Sequence, residues 1–240
     1  MTEKEKTAIS HVAIIPDGNR RWAKERGFLP WIGHQAGIKA FEKILEQWAE
    51  TKIPYLTFWG GSFDNLTKRP KKEIEFLFKA YDTHFRRLLK DQRIYDDKVK
   101  INAYGLWKEI LPAETQEVIN KCIEKTKDHN QFFLTFLLAY DGVNEMIAGC
   151  QKIANLSRNR EITVDEKLIK ESLWTKDLPS VDLVIRTGCE RDPHLSAGFM
   201  MWHTAYSQLY FTEVSFPDFS VEEFKKSIGD YSIRERRFGK

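Results

Sequence analysis

The feature that most restricts what this chain can become is a repeated succession of short β-branched apolar runs and longer segments with helical period. The runs fall at His11–Ile15, Leu56–Trp59, Val99–Tyr104, Phe132–Tyr140, Val181–Ile185 and Gln208–Val214. Between them, Ile38, Phe41, Leu45 and Trp48 share one helical face. Ile74, Leu77, Phe78, Tyr81, Phe85, Leu88 and Leu89 make a longer stripe, and Val143, Met146, Ile147 and Cys150 a third. Strands alternating with helices predict an α/β fold with a six-stranded, mostly parallel sheet covered by helices on both sides. No repeat, low-complexity block or Pro/Gly/Ser-rich linker divides the 240 residues, so a single domain over 1–240 is expected, with Asn155–Glu161 as a surface loop.

Charge and composition narrow the function classes. Thirty-eight Lys plus Arg against 35 Asp plus Glu leave +3, which excludes a chain that binds by charge alone. A 42 % hydrophobic fraction is enough to build a core. No run approaches the roughly 18 uncharged apolar residues that a membrane span needs. The first residues, 1–8, read as a flexible start that passes from charges to structure with no apolar signal core. Cys122, Cys150 and Cys189 are odd in number and widely spaced, forming neither a disulfide framework nor a metal motif. A reduced, cytoplasmic protein is expected.

In parallel α/β sheets, ligands bind beyond the carboxyl ends of the strands. Here those ends are polar and small: Pro16-Asp17-Gly18-Asn19 after the first strand, Gly60-Gly61-Ser62 after the second, Arg186-Thr187-Gly188 after the fifth. Such residues approach and neutralise phosphate. At Asp17-Gly18-Asn19-Arg20-Arg21-Trp22, glycine admits an anion to the backbone, two arginines supply forked donors, and an aspartate among cations makes sense if Mg²⁺ bridges it to phosphate. The plainer reading of Asp-Gly-Asn is a turn ahead of a helix. His34 is either a phosphate donor or a surface histidine near a helix terminus. Trp59–Pro70 is either a lid or an ordinary loop with helix-starting signals. Arg186, Arg191, His194 and Ser196 form a second polar concentration, in which Cys189 reads as structural. The NTPase phosphate loop, the dinucleotide fingerprint, the zinc-protease helix and the hydrolase nucleophile elbow are all absent from the sequence. Phosphate-binding groups without a nucleotide signature point to another phosphorylated substrate.

Taken in order, the motifs resemble the cis-prenyltransferases of the undecaprenyl diphosphate synthase group. The resemblance runs from His11-Val-Ala-Ile-Ile-Pro-Asp17-Gly-Asn-Arg-Arg-Trp22 through Gly33-His34-x-x-Gly37, Asp64-Asn65 and Arg69-Pro70. It continues through Asp182-Leu-Val-Ile-Arg186-Thr-Gly, Phe199-Met-Met-Trp202, Leu209-Tyr-Phe-Thr, Phe216-Pro-Asp-Phe219 and Arg234-Glu-Arg-Arg-Phe-Gly239. It implies condensation of an allylic diphosphate, such as farnesyl or geranylgeranyl diphosphate, with isopentenyl diphosphate to make a Z-polyprenyl diphosphate, a lipid carrier for envelope glycan synthesis. It implies Asp17 as the Mg²⁺ residue, with Gly18, Asn19, Arg20, Arg21 and Trp22 around the allylic diphosphate and His34 and Arg69 adding charge. It also implies Asn65 assisting proton removal, with Ser62, Phe63, Asp64 and Leu66 beside it on the substrate. Arg186, Ser196 and either Arg191 or His194 would grip isopentenyl diphosphate. Arg237 and Gly239, in a tail over 230–240, would reach it from the partner in a homodimer. The growing hydrocarbon needs an apolar tunnel between sheet and helices, lined by Ile74, Leu77, Phe78, Tyr81, Phe85 and Phe132–Leu138, although ordinary core is the plainer role for most of these. Gly60 and Gly61 leave room near the strand end. The product is a membrane lipid, which makes peripheral membrane association an expectation too.

The sequence departs from the family pattern in four places. Pro30 stands where an arginine is common, Leu66-Thr67 where an aromatic is common, the segment between Glu190 and Phe199 is enlarged, and Gln208 replaces a glutamate associated with the metal. Gln208 is therefore a second metal candidate, though an amide brings no charge. Two further functions are a short-chain Z-prenyl diphosphate synthase and a non-catalytic subunit of a heteromeric enzyme. Asp17 and the C-terminal motif are both present, which favours self-sufficiency. A nucleic-acid binder using Arg234, Arg236, Arg237 and Lys240 has weak support from a short basic tail, so no nucleic-acid partner is expected.

Overall fold

The computed structural model describes residues 9–158, 161–190 and 192–234. Its elements run β1 (His11–Ile15), α1 (Asn19–Glu25), α2 (Pro30–Thr51), β2 (Tyr55–Gly61), α3 (Phe63–Lys68), α4 (Lys71–Leu88), α5 (Gln92–Asp96), β3 (Val99–Tyr104), α6 (Trp107–Ile110), α7 (Ala113–Thr126), β4 (Phe132–Leu138), α8 (Gly142–Ser157), α9 (Glu166–Ser172), β5 (Leu183–Arg186), β6 (Gln208–Phe211) and α10 (Val221–Ile233). The strands form one six-stranded sheet in the order β3-β4-β2-β1-β5-β6. The expected α/β class and strand count hold. The chain clusters into two compact units, one of residues 1–56, 181–193 and 207–240, the other of residues 57–180 and 194–206.

In the first unit, β1 pairs in parallel with β5, and β5 with β6. All five β1 residues are buried, including His11, which suits a strand covered on both faces. Asp182 ties the start of the unit down: its Oδ2 accepts the backbone N–H of Ser10 at 2.8 Å and of His11 at 3.1 Å. Helix α2 starts at Pro30, whose fixed φ and missing N–H suit a first helical position. That local role accounts for the proline at this position. The helix buries Gly37, Phe41, Ile44 and Trp48, while Ile38 and Leu45 are only half-buried, so the face turned inward is rotated from the one expected.

Two glycines of α2 let it lie against Asn19, the first residue of α1. A Cβ on Gly33 would stand 2.0 Å from the Asn19 carbonyl oxygen, and one on Gly37 would stand 2.2 Å from Asn19 Oδ1. The Gly33-His34-x-x-Gly37 spacing is therefore a backbone-contact device, one helical turn between close approaches.

In the second unit, β3 and β4 pair in parallel from Val99↔Phe132 to Tyr104↔Leu137. Leu66, Leu77 and Ala139 form a buried cluster against which Phe78, Tyr81, Leu106 and Ile110 pack. Phe85 meets Phe136 edge-on at 4.9 Å between ring centroids. Leu77, Phe85 and Leu88 of α4 and residues 134–138 of β4 are thus packed core, while Ile74, Phe78, Tyr81 and Leu89 are half-buried. The room expected at two glycines is filled as well: the Cβ position of Gly60 is taken by Leu138 Cδ2 at 2.5 Å, and that of Gly61 lies 3.1 Å from the Tyr81 hydroxyl.

Three local expectations are corrected. Asn155–Ser157, read as loop, are the last residues of α8. The lid is not an open loop but helix α3, because Ser62 Oγ caps it by accepting the Asn65 N–H at 3.1 Å. The third apolar stripe faces outward: α8 buries Gly142, Glu145 and Gly149, while Val143, Ile147 and Cys150 are exposed.

Two glycine substitutions should move stability in opposite directions. Gly33→Ala is expected to lower the unfolding free energy by about 1–3 kcal/mol through overpacking. Gly229→Ala in α10, where a Cβ meets nothing within 4 Å, should raise it by about 0.5–1 kcal/mol. Urea denaturation of the two variants reads both signs, and equal signs would refute the packing account of Gly33.

Candidate active site

In the first unit the parallel register does the assembling. Ile15 of β1 is the partner of Arg186, the last residue of β5, so the residues just past β1 lie beside the end of β5. Asp17 Oδ2 accepts a hydrogen bond from Arg186 Nη2 at 3.0 Å across 169 residues of sequence. Asp17 Oδ1 accepts the Gly18 N–H at 2.7 Å, and Arg21 Nη2 lies 3.8 Å from it. The Arg186 side chain is 7 % exposed and that of Asp17 44 %. A buried guanidinium needs a counter-charge, and here the partner remains open to solvent with lone pairs to spare.

The backbone around Asp17 is held from several sides. Thr187 Oγ1 accepts the Asp17 N–H at 3.0 Å and donates to the Asp17 carbonyl at 2.8 Å, which also accepts the Phe216 N–H at 2.9 Å. Gly18 has φ +97 and a missing side chain whose place is occupied by Ser215 Oγ at 2.6 Å. Gly188 has φ +60, with Gly18 Cα 2.8 Å from the position of its absent Cβ. Arg21 donates to the Gly188 carbonyl and faces Glu190 Oε1 at 3.3 Å.

The other expected residues of this unit fall around that centre. Asn19 donates from Nδ2 to the Pro16 carbonyl at 3.0 Å, and α1 begins at Asn19 with no acidic residue in its first turn. Arg20 is exposed, and Trp22 is half-buried with Arg26 4.4 Å above its ring. His34 is buried one turn into α2, so it is not a surface histidine. Cys189 is buried and donates to the Asp192 carbonyl at 3.2 Å, in keeping with a structural role.

Gln208 does not join them. It opens β6 opposite Leu183, whereas Arg186 pairs with Phe211, three residues further along. At about 3.3 Å per residue, that sets Gln208 roughly 10 Å down the strand from the Asp17 end. Within one chain it is not a co-ligand of an ion on Asp17. Arg191, Arg237 and Gly239 lie outside the described residues, as do residues 1–8.

In the second unit, α3 carries the lid residues. Asp64 pairs with Lys68 at 2.8 Å on the outside. Leu66, expected on the substrate, is 2 % exposed and points into the apolar cluster, because the helix turns that position inward. Arg69 Nη1 donates to Glu73 Oε1 at 3.1 Å, and Glu73 is 2 % exposed, a buried carboxylate that sequence reading passed over. The Tyr81 hydroxyl donates to the Gly60 carbonyl at 2.8 Å, and burial pushes its phenol up, with Arg69 pulling the other way.

Ser196 opens a 3₁₀ turn, Ser196–Gly198, its Oγ 3.2 Å from His194 Nε2. The turn contains left-handed Ala197 at φ +48, and Met200 follows at φ +45. A buried network holds this strained segment. Glu145 Oε2 accepts from the Tyr140 hydroxyl at 2.5 Å, Oε1 accepts from Thr175 N–H and Oγ1 at 2.9 and 2.7 Å, and His203 Nε2 lies 2.9 Å from Thr175 Oγ1. The backbone N–H of His203 donates to the Met200 carbonyl at 2.8 Å, which joins the network to this segment. Burial, helped by the Lys170 charge, pushes His203 down to about 4. Sequence reading found none of these four side chains, since a glutamate amid an apolar stripe carries no sign of its partners.

The family model described as putative undecaprenyl diphosphate synthase matches residues 15–239. The chain is 37 % identical over 245 residues to the tritrans,polycis-undecaprenyl-diphosphate synthase (geranylgeranyl-diphosphate specific) of Pyrococcus horikoshii, covering 100 % of this chain and 91 % of that protein. It is 34 % identical to the isoprenyl transferase of Rickettsia prowazekii, over 98 % of this chain and 99 % of that one. Among solved structures, lavandulyl diphosphate synthase from Lavandula x intermedia, in complex with dimethylallyl diphosphate, matches with a TM-score of 0.89 at 29 % identity, over 97 % of this chain and 98 % of the other.

The depressed His203 makes stability depend on acid. Its folded value lies below the ordinary 6.5, so its contribution is present above pH 6.5 and lost as pH falls towards 4. About 3 kcal/mol is at stake for such a shift. The stability lost between pH 7 and pH 4.5 in urea titrations should be smaller in His203→Gln than in the parent, and an unchanged difference would refute the assignment.

Proposed function

Because the chain belongs to the undecaprenyl diphosphate synthase family of prenyltransferases, we propose that it extends a geranylgeranyl or farnesyl primer with isopentenyl diphosphate, using Asp17 and its surrounding cations as the allylic diphosphate site. The chain is a transferase of prenyl groups that makes Z-polyprenyl diphosphates. The observation that carries the site assignment is the open Asp17 carboxylate set between a buried arginine and the Gly18 N–H, with Arg21 one helical turn away. The geranylgeranyl specificity named for the Pyrococcus relative supports the longer primer.

The residues fit Mg²⁺. Among the described residues no three His, Cys, Asp or Glu side chains gather to cage a metal. Magnesium characteristically takes one or two carboxylates and completes its octahedron with phosphate oxygens and water. Asp17 would hold it, and when bound the ion neutralises charge on the allylic diphosphate. The rest falls to side chains. Arg20, Arg21 and His34 hold the allylic diphosphate as negative charge develops on it. Arg186 exchanges Asp17 for a substrate oxygen, and Ser196 with His194 contacts isopentenyl diphosphate. The allylic C–O bond breaks with its electron pair leaving on diphosphate, and a C–C bond forms to the terminal alkene carbon of isopentenyl diphosphate. The proton lost from the neighbouring carbon departs with help from Asn65. The products are a chain five carbons longer, diphosphate and a proton. The half-buried apolar side chains of α4, Ile74, Phe78 and Tyr81, would accommodate the growing hydrocarbon.

The active form is a homodimer. Val143 and Ile147 are each 50 % exposed, and Val143 and Met201 both border Gly198, two residues from Ser196. An outward apolar patch next to a substrate residue suits a partner subunit, whose 230–240 tail would complete the site. No described helix is long and apolar enough to cross a membrane. A short-chain product is a second reading, favoured by the likeness to the lavandulyl enzyme.

Asp17→Ala should cut turnover by about 10²–10³-fold with the melting temperature little changed. Incubation with labelled isopentenyl diphosphate and dimethylallyl, farnesyl or geranylgeranyl diphosphate, with the products sized, separates long-chain from short-chain readings. Full turnover by Asp17→Ala overturns the site. The double variant Val143→Asp/Ile147→Asp should sediment as a monomer with little activity, and a fully active monomer overturns the dimer.

A further inference from the structure

Helix α4 has two unlike faces. The inner one buries Glu73, Leu77, Phe85 and Leu88. On the opposite side Lys72, Lys79 and Arg86 recur every seven residues, so they stand in one row about 21 Å long at 1.5 Å rise per residue. Lys90, just past the helix end, continues the row, and Lys71 and Arg87 flank it. All six are exposed. Their acidic company is small. Glu75 lies 3.8 Å from Lys71, Asp82 accepts from Arg86 Nε at 2.7 Å, and Glu114 and Glu117 of α7 act on Arg86 from the side. Lys72, Lys79 and Lys90 have no ion-pair partner among the described residues. Six cations against Glu75, Asp82, Glu114 and Glu117 leave a local excess of two positive charges on this face.

We propose that the outward face of α4 docks the protein on an anionic phospholipid bilayer. Its charges ride on long flexible stems, and half of them are unpaired. That pattern complements a planar field of phosphates, which needs no pocket. A single-stranded nucleic acid, the other polyanion of this size, is held by aromatic platforms between the cations, and the exposed residues within this row are Thr83 and Glu75. The proposal rests on the prenyl-transfer reading for its purpose: a polyprenyl product is insoluble in water and has to be handed to a membrane. Docking through α4 brings that membrane against a helix whose inner side is apolar.

The test is co-sedimentation of the full chain with large unilamellar vesicles of pure phosphatidylcholine, or of phosphatidylcholine with about one-third phosphatidylglycerol, at 0.1 M and 0.5 M salt. Binding is expected on the anionic vesicles at low salt only. Lys72→Gln/Lys79→Gln/Lys90→Gln should weaken it by about 100-fold, close to fivefold per cation. The control Lys121→Gln/Lys125→Gln/Lys127→Gln removes the same charge from α7 and should weaken it far less. Equal loss in both triple variants, no preference for anionic vesicles, or binding to single-stranded RNA in place of vesicles at the same salt would each overturn the proposal. Prenyl transfer in detergent solution is measured in parallel. Turnover without vesicle binding removes the docking surface and leaves the activity, whereas vesicle binding without turnover removes the activity and leaves the surface.

Discussion

Two glycines touching back to back, Gly18 after β1 and Gly188 after β5, are the constraint on which the first unit depends. Both have positive φ, and the Cβ position of Gly188 lies 2.8 Å from Gly18 Cα. A side chain at Gly188 would drive the two strand ends apart and carry Asp17 away from Arg186. Thr187, between Arg186 and Gly188, closes the same crossing with two hydrogen bonds to the Asp17 backbone. The chemistry of the site is thus set by how closely two loops can cross, and only then by which charges they carry.

Buried charge organises the rest in the same manner. Arg186 is anchored by Asp17, Glu73 by Arg69, and Glu145 by Tyr140 and Thr175. Leaving any of these groups without its partner costs more than the pair itself contributes, because the remaining charge would have to lose its hydration unaided. Each contact therefore ties one element to another segment: Arg186 of β5 to the loop after β1, Glu73 of α4 to the end of α3, Glu145 of α8 to the loop containing Thr175. The left-handed Ala197 and Met200 lie in the segment that the third of these networks braces where the His203 backbone N–H donates to the Met200 carbonyl. Strain next to Ser196 is tolerated because the surroundings over-determine it.

Helix α8 shows where reading by pattern fails. Val143, Met146, Ile147 and Cys150 have the spacing of a core stripe, yet Val143 and Ile147 are half exposed while Glu145 is 2 % exposed. Periodicity reports that one side of a helix is apolar and cannot report what stands opposite it. Here Glu145 finds three donors within 2.9 Å and the close approach of Gly142 to Gly198 sets the helix against the Ser196 turn, so Glu145 goes in and Val143 and Ile147 are left outward. Leu66 is the reverse case: a position expected on substrate is turned into the core once Ser62 starts a helix.

The sequence by itself determined the strand–helix alternation, the strand-end placement of Asp17 and Arg186, and the family, since apolar period and ordered motifs are local properties that survive any detail of packing. Only tertiary structure decided that Asp17 and Arg186 meet, that Gly33 and Gly37 seat a helix on Asn19, that Gln208 lies a strand's length from Asp17, and that Glu73, Glu145 and His203 are buried. Each of those depends on parallel register or on contacts between residues distant in the chain, and hydrogen-bond and van der Waals distances of about 3 Å are not encoded in spacing along a sequence.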